Sequence, residues 1–269
     1  ISVGSVTALV CMSAAYAMEN KGMSAVAAVV ISLLIGTLFG IVQGYLVTYL
    51  EIQPFIVTLA GMFFGRGLTA VISTDMIAIQ NKTFLKWANY RINLPFGTYN
   101  RRGIFIPAYI YPTVIIALAV VILITLMLKF TKFGRSLYAI GGNQQSAVMM
   151  GLDVKKTKRK AYVLGGFLAG LGGFLFCLNS CAGFVEQAKG LEMDAIASAV
   201  IGGTLLSGGV GTVVGTLFGV LINGTISSLI TTQGTLSSWW VRITLSALLC
   251  FFIVLQAVIA AVKRKKKKK

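Results

Sequence analysis

The chain of 269 residues contains no histidine, seven acidic residues and four prolines. Without histidine there is no imidazole base, no Ser-His-Asp triad and no histidine-ligated zinc. No G-x-x-x-x-G-K-S/T run occurs, so the chain has no phosphate-cradling loop of its own. Glu192 and Asp194 stand two residues apart, a spacing that does not share a helix face. Asp194 near a helix start suits the N-terminal dipole instead. The four cysteines, Cys11, Cys177, Cys181 and Cys250, lack partner ligands. Cys177-x-x-x-Cys181 is open to a metal or redox reading, but buried thiols also serve as small apolar filler. These shortages argue against an enzyme and against a metal or cofactor bound by this chain.

Charge is scarce as well. Charged residues make up 12%, hydrophobic ones 57%, and the mean hydropathy is +0.85. Soluble domains carry about 25% charge; a lipid solvent removes the need for it. Thirty glycines beside four prolines fit closely packed membrane helices. A net charge of +17 in a soluble protein would suggest nucleic acid. Here 15 of the 24 basic residues fall in two clusters, eight from Lys129 to Lys160 and seven from Lys263 to Lys269. Clusters between or after apolar runs mark cytoplasmic loops and tails, so the implied contact is membrane lipid, with no nucleic acid.

A crossing helix needs about 20 apolar residues. Eight candidate spans read as 3–18, 24–50, 55–72, 105–128, 161–178, 193–206, 210–230 and 239–262. The expected fold is all-α, a polytopic transmembrane helical bundle forming a single permease-like domain over 1–269. Residues 129–160 form its cytoplasmic loop and 263–269 its basic cytoplasmic tail. With 129–160 inside, 73–103 and 179–192 lie outside and the tail returns inside. Trp239 and Trp240 open the last candidate as an interface anchor. The outer segment 73–103 carries Lys82, Lys86, Arg91, Arg101 and Arg102, an excess that long outer segments tolerate better than short ones.

Three places stand out. Residues 201–211 hold Gly202, Gly203, Gly208, Gly209 and Gly211 with Thr204 and Ser207, where each glycine costs a regular helix about 1 kcal/mol. Such a run fits a gate or pathway wall, or equally a tight cytoplasmic turn. Arg66 lies inside the third candidate span and Arg242 near the edge of the last; embedded charge is usually paired or functional. Arg66 is thus a candidate pathway contact or internal ion pair. No buried Asp, Glu or His offers ion coupling. The third place is 143–151. Asn143 caps a short helix, Gly151 suits its C′ position, and Ala147, Val148 and Met150 give it an apolar face. It fits an interfacial helix lying on lipid or a docking helix for a soluble partner.

The segment from Gly134 to Val154 resembles the cytoplasmic loop of ribose/galactose-type permeases of ATP-binding-cassette importers. Residues 162–173 resemble that family's entry into the next span. The run 192–204, Glu-Met-Asp-Ala-Ile-Ala-Ser-Ala-Val-Ile-Gly-Gly-Thr, resembles its most characteristic block. The stretches 204–212 and 234–240 look like the galactofuranose-type branch, and Ser2-Val3-Gly4-Ser5 resembles the end of an N-terminal family motif.

The resemblance implies a ten-span permease that moves a hexose, a pentose or galactofuranose inward by alternating access. Against that layout, the eight candidate spans read here are expected to be the last eight of the ten. It implies partners as well: an ABC ATPase subunit that spends the ATP, an extracytoplasmic sugar-binding protein, and a second or homologous permease. The implied setting is the bacterial cytoplasmic membrane, as a multi-pass protein. Asn143, Gln144, Gln145, Ser146, Ala147, Met150 and Gly151 become the ATPase-coupling residues. Gly202, Gly203, Thr204, Ser207, Gly208, Gly209 and Arg66 flank the translocation pathway, with Gln43 and Thr58 as further polar candidates. The alternative is a secondary carrier or channel that works without an ATPase.

Overall fold

The computed structural model describes residues 1–99, 105–232, 240, 243–244 and 246–254. The expectations for Arg101, Arg102, Trp239, Arg242, most of 234–240 and the tail 263–269 lie outside the described residues. The chain divides into two compact units, 1–120 with 155–189 and 121–154 with 190–269.

The first unit is built round α1 (Val3–Glu19), buried along almost its whole length. Its small residues let neighbours approach closely, which is how helices associate where lipid offers no hydrophobic drive. A Cβ on Gly65 would meet Ser5, one on Gly173 would meet Val10, and one on Gly183 would meet the backbone of Met12. Ser24 caps α2 (Ala25–Thr48) by accepting from the Ala27 N–H at 3.3 Å. Pro54 opens α3 (Pro54–Ile72) at the first turn, where a missing N–H costs nothing.

α2 packs against α8 (Val154–Ser180) along one row. Ser32, Gly36, Gly40 and Gly44 recur every four residues, and Gly170, Gly166 and Tyr162 meet them in the opposite direction. A Cβ on Gly36, Gly40 or Gly166 would overlap the facing backbone. The two helices therefore touch main chain to main chain and run antiparallel.

Polar contacts sort the connections of this unit by side. Glu19 accepts the N–H groups of Gln80 (2.8 Å) and Asn81 (3.0 Å). β1 (Ile77–Ala78) pairs antiparallel with β4 (Ala182–Gly183). These contacts join the connections after α1, α3 and α8, all expected outside. Lys155 pairs with Glu51 at 3.0 Å, and Arg159 donates to the Tyr49 hydroxyl at 3.3 Å. Those join the α2–α3 turn to the start of α8, both expected inside. The pair Lys155–Glu51 is largely exposed and adds little stability, so it reports position rather than strength.

The outer segment is more ordered than its polar composition suggests. α4 (Lys82–Asn89) buries Phe84 edge-on against Phe174, with ring centroids 6.1 Å apart. β2 (Ile92–Tyr99) and β3 (Phe105–Ile110) form an antiparallel hairpin with a register shift between Asn93 and Gly97. Here the fourth candidate span needs correction, because 105–110 is strand. α5 (Pro112–Phe130) starts at Pro112 and no residue of it is buried. A short apolar run does not by itself separate strand from helix.

α5 leads from the first unit into the second. Thr131 caps α6 (Lys132–Gly142) by accepting from the Gly134 N–H at 3.2 Å. α7 (Gln144–Met149) follows. Lys155–Lys160, expected in the loop, already belong to α8.

α9 (Leu191–Ile201) has 11 residues, about 16 Å at 1.5 Å per residue. The sixth candidate span, 193–206, is therefore too short to cross a core of about 30 Å alone, because the glycines end it. α10 (Val213–Thr232) is long enough. Among the described residues five helices have the length and composition to cross a membrane: α2, α3, α5, α8 and α10. Residues 240, 243–244 and 246–254 of the last candidate are helical. The fold is thus a polytopic helical bundle.

Candidate functional site

In the second unit the glycine run 202–211 meets the end of α6, which leads directly into 143–151. α7 is short but fixed at both ends. The Asn143 side chain accepts from the Ser146 N–H at 3.0 Å. At the other end Gly151 takes φ +77. The Gly151 N–H donates to the Val148 carbonyl (2.9 Å) and the Leu152 N–H to the Ala147 carbonyl (3.1 Å). These are the paired bonds of a Schellman stop. Ala147 is fully buried with Ile140 and Val154.

Ala147 therefore anchors α7 and does not face outward. The outward face is Val148, Met149 and Met150, at 56%, 88% and 65% exposure. Val148 and Met149 were not among the expected coupling residues. An unpaired flexible thioether on a short helix was the signal for Met149. Asn143→Ala is expected to cost the first turn about 1 kcal/mol. That reads as about fivefold faster hydrogen exchange at the Ser146 amide.

The glycines of 202–211 have separate tasks. Gly203 takes φ +88 and stops α9, with its N–H on the Val200 carbonyl (2.9 Å) and the Thr204 N–H on the Ala199 carbonyl (3.0 Å). Gly202 lies against the backbone of Gly215, so α9 and α10 touch closely there. The chain then turns, with Gly208 N–H donating to the Leu205 carbonyl and Leu205 N–H to the Val210 carbonyl, both at 3.0 Å. Gly208 and Gly209, at φ +87 and +77, rest on the backbone of Gly141 and Gly142 at the end of α6. The Tyr138 hydroxyl donates to the Gly211 carbonyl at 2.9 Å. Thr204 packs against Gly211, and Ser207 is exposed at the turn.

The run thus forms a turn seated on the end of α6.

Beyond the turn, the Asn223 amide on α10 donates to Ser198 Oγ at 2.8 Å, and Ser198 donates to the Asp194 carbonyl at 2.8 Å. Asn223 Oδ1 and Glu192 Oε2 are buried without a hydrogen-bond partner. Sequence reading passed over Asn223, whose signal was an amide in an apolar helix. Ser198→Ala removes the partner of a buried donor and is expected to cost about 1–3 kcal/mol, read as a lowered unfolding temperature in detergent.

Arg66 sits in the first unit. Its Nη1 donates to the carbonyls of Val185 (2.8 Å) and Gln187 (2.6 Å), which pins the 182–190 loop to α3. The expected internal ion pair is replaced by main-chain acceptors. Gln187 is buried and donates to Ser180 Oγ at 2.7 Å. Glu186 bonds Lys189 at 2.7 Å, and that lysine, with Arg66 as a lesser influence, holds its carboxyl below the usual range. Arg66→Met is expected to raise proteolytic cleavage within 182–190 while leaving α7 unchanged.

Gln43 and Thr58 line a cavity of about 340 Å³ in the same unit, together with Ser2, Phe39 and Tyr162. Gln43 and Ser2 hydrogen-bond each other at 3.0 Å. All four cysteines are free. Among the described residues no cluster of metal-ligating side chains occurs.

Comparison with known proteins fixes the family. The model for the branched-chain amino acid transport system / permease component matches residues 1–254. The inner membrane ABC transporter permease protein YjfF of Escherichia coli is 41% identical over 256 residues, covering 95% of this chain and 74% of that protein. The fructose import permease protein FruG of Bifidobacterium longum is 34% identical, covering 97% and 75%. The ribose import permease protein RbsC of Bacillus subtilis is 38% identical, covering 85% and 67%. No solved structure matches. These relatives are transport subunits rather than enzymes. The chain therefore belongs to this permease family, as a multi-pass membrane component of the ribose/galactose-type ATP-binding-cassette transporters of the cytoplasmic membrane.

Proposed function

We propose that this permease imports a simple sugar, a hexose, a pentose or galactofuranose, and that a partner ATPase supplies the energy through α7. The family description mentions branched-chain amino acids, whereas FruG and RbsC are named for fructose and ribose. The sugar reading is preferred because those individual relatives, at 34% and 38% identity, are named for sugars. The ATP is bound and hydrolysed in the partner. An extracytoplasmic binding protein delivers the sugar, and a second permease copy or homologue completes the path.

The observation that carries the reading is the seating of the glycine turn on the α6–α7 arm. A push on the exposed Val148–Met149–Met150 face reaches Gly141 and Gly142 through α6, and from there Gly208 and Gly209. The turn joins α9 to α10, so the push is delivered to both helices. Asn143, Gln144, Gln145, Ser146 and Gly151 surround the contact face, and Ala147 makes the arm rigid. Backbone contact without side chains leaves little slack, since packed interfaces adopt discrete arrangements rather than deform. In this reading Gly202, Gly203, Gly208 and Gly209 transmit motion, and Arg66 holds the outer loop. Thr204, Ser207, Gln43 and Thr58 remain the hydroxyl and amide groups offered to a neutral polar sugar.

Co-purification tests the coupling. The ATPase is expected to leave with the wild-type permease and to be lost with Gln144→Arg or with deletion of 143–151. Sugar uptake that continues without 143–151 contradicts the proposal.

A further inference from the structure

One residue, Tyr111, separates strand β3 from α5. Its carbonyl accepts the Val114 N–H at 3.0 Å, so the hairpin passes into the helix without a loop. α5 has 19 residues, none of them buried, and the composition to cross a membrane. At 1.5 Å per residue it is about 28 Å long, close to the hydrocarbon core of about 30 Å. Its outer end therefore marks where the core stops. Tyr109 and Tyr111 fall at the level of the lipid headgroups, where tyrosine is enriched.

A cation is held at the same level. The Arg91 guanidinium lies 4.4 Å from the centre of the Tyr109 ring and 5.8 Å from that of Tyr111. The two rings meet edge to face, with centroids 5.5 Å apart. Arg91 is exposed, and no acidic residue occurs between Asp75 and Asp153 to balance it. The positive-inside rule gives no reason for basic charge on this outer side. A guanidinium presents a planar fork of N–H donors that matches two oxygens of a phosphate. A phospholipid headgroup brings that phosphate to the depth where Arg91 sits. The hairpin itself points the same way. Two strands alone are marginal in water, and Tyr90, Ile92 and Tyr109 are 61%, 37% and 44% exposed. The lipid interface accepts such aromatic and apolar side chains.

From this we infer that Arg91, Tyr109 and Tyr111 form a site for the phosphodiester group of one outer-leaflet phospholipid, and that the β2–β3 hairpin rests on the membrane surface. The two rings hold the guanidinium in place, and the phosphate accepts from its edge. The inference needs α5 to cross the membrane and is independent of the solute carried.

The test titrates the full permease chain in detergent with phosphatidylglycerol and resolves each bound lipid by native mass spectrometry. Arg91→Gln is expected to weaken one binding step about tenfold. Arg91→Lys keeps the charge but loses the fork, and is expected to weaken that step about threefold. Lys82→Gln/Lys86→Gln removes two exposed charges from neighbouring α4 and is expected to change the step less than about twofold. Diacylglycerol with the same acyl chains, which lacks the phosphate, is expected to leave the site empty. A circular dichroism spectrum equal to that of wild type shows that each variant folds. Equal affinities at every step in wild type and Arg91→Gln overturn the inference. So does an equal loss in the Lys82/Lys86 variant, which makes the attraction diffuse charge rather than a site. Full displacement of the lipid by an equal concentration of glycerol phosphate also overturns it, because the site then holds a free phosphate ester.

Discussion

Gly36→Leu is expected to leave little folded protein. The Cβ alone would run into the backbone of Gly166 and Gly170, and leucine adds three further carbons. Overpacking in an ordinary core costs about 1–3 kcal/mol because side chains shift aside. Here main chain faces main chain, so the two helices must separate. Separation also removes the close contact that holds α2 to α8 in lipid. A loss above about 3 kcal/mol is therefore expected, seen as a collapse in monodisperse yield and unfolding temperature. Gly172→Leu, on the facing helix α8 with nothing within 4 Å of its Cβ, is the control. It gains helix propensity of about 1 kcal/mol and is expected to fold normally.

Gly209→Val is expected to separate ATPase assembly from transport. Gly209 takes φ +77, and a Cβ there would lie 2.7 Å from the N and Cα of Gly142. Valine would push the turn off α6 while leaving the outward face of α7 intact. ATPase co-purification should persist, and ATP-driven uptake should fall about tenfold, the size set by a coupling free energy of about 1–3 kcal/mol. Gly203→Ala provides the comparison. That site is also left-handed at φ +88, but nothing lies within 4 Å of its Cβ. It bears only the backbone strain of about 1–2 kcal/mol, so its uptake should fall less. Equal losses in the two variants would mean that strain, not the α6 contact, sets the effect.

Long apolar helices were the most legible part of the sequence. α2, α3 and α10 lie close to their expected bounds because their apolar runs are long and Pro54 marks a start, whereas α8 begins seven residues before its apolar run, at Val154. The start of α5 was misplaced, since Phe105–Ile110 is as apolar as a helix and only its pairing with 92–99 makes it strand. The 193–206 segment looked like a span because its composition is apolar throughout, and the stop at Gly203 depends on backbone angle rather than hydropathy. Asn143 and Gly151 were readable as caps because capping is local chemistry. Ala147 was read with Val148 and Met150 as one apolar face, yet Ala147 alone of the three is buried, because the face of so short a helix is set by its neighbours Ile140 and Val154. The carbonyls that receive Arg66 lie about 120 residues away, and main-chain acceptors leave no mark in a sequence. The seating of Gly208 and Gly209 on Gly141 and Gly142 was hidden for the same reason: glycine against glycine has no complementary side chain to recognise.

Sugar accumulation in sealed proteoliposomes tests the central claim most directly. The vesicles hold this permease with its ATPase, and loaded binding protein is supplied on the outer face. Radiolabelled pentoses and hexoses are expected to accumulate only with ATP inside, and accumulation should vanish when 143–151 is deleted. Uptake that runs down the sugar gradient without ATP or ATPase would contradict the account and make the chain a carrier or channel.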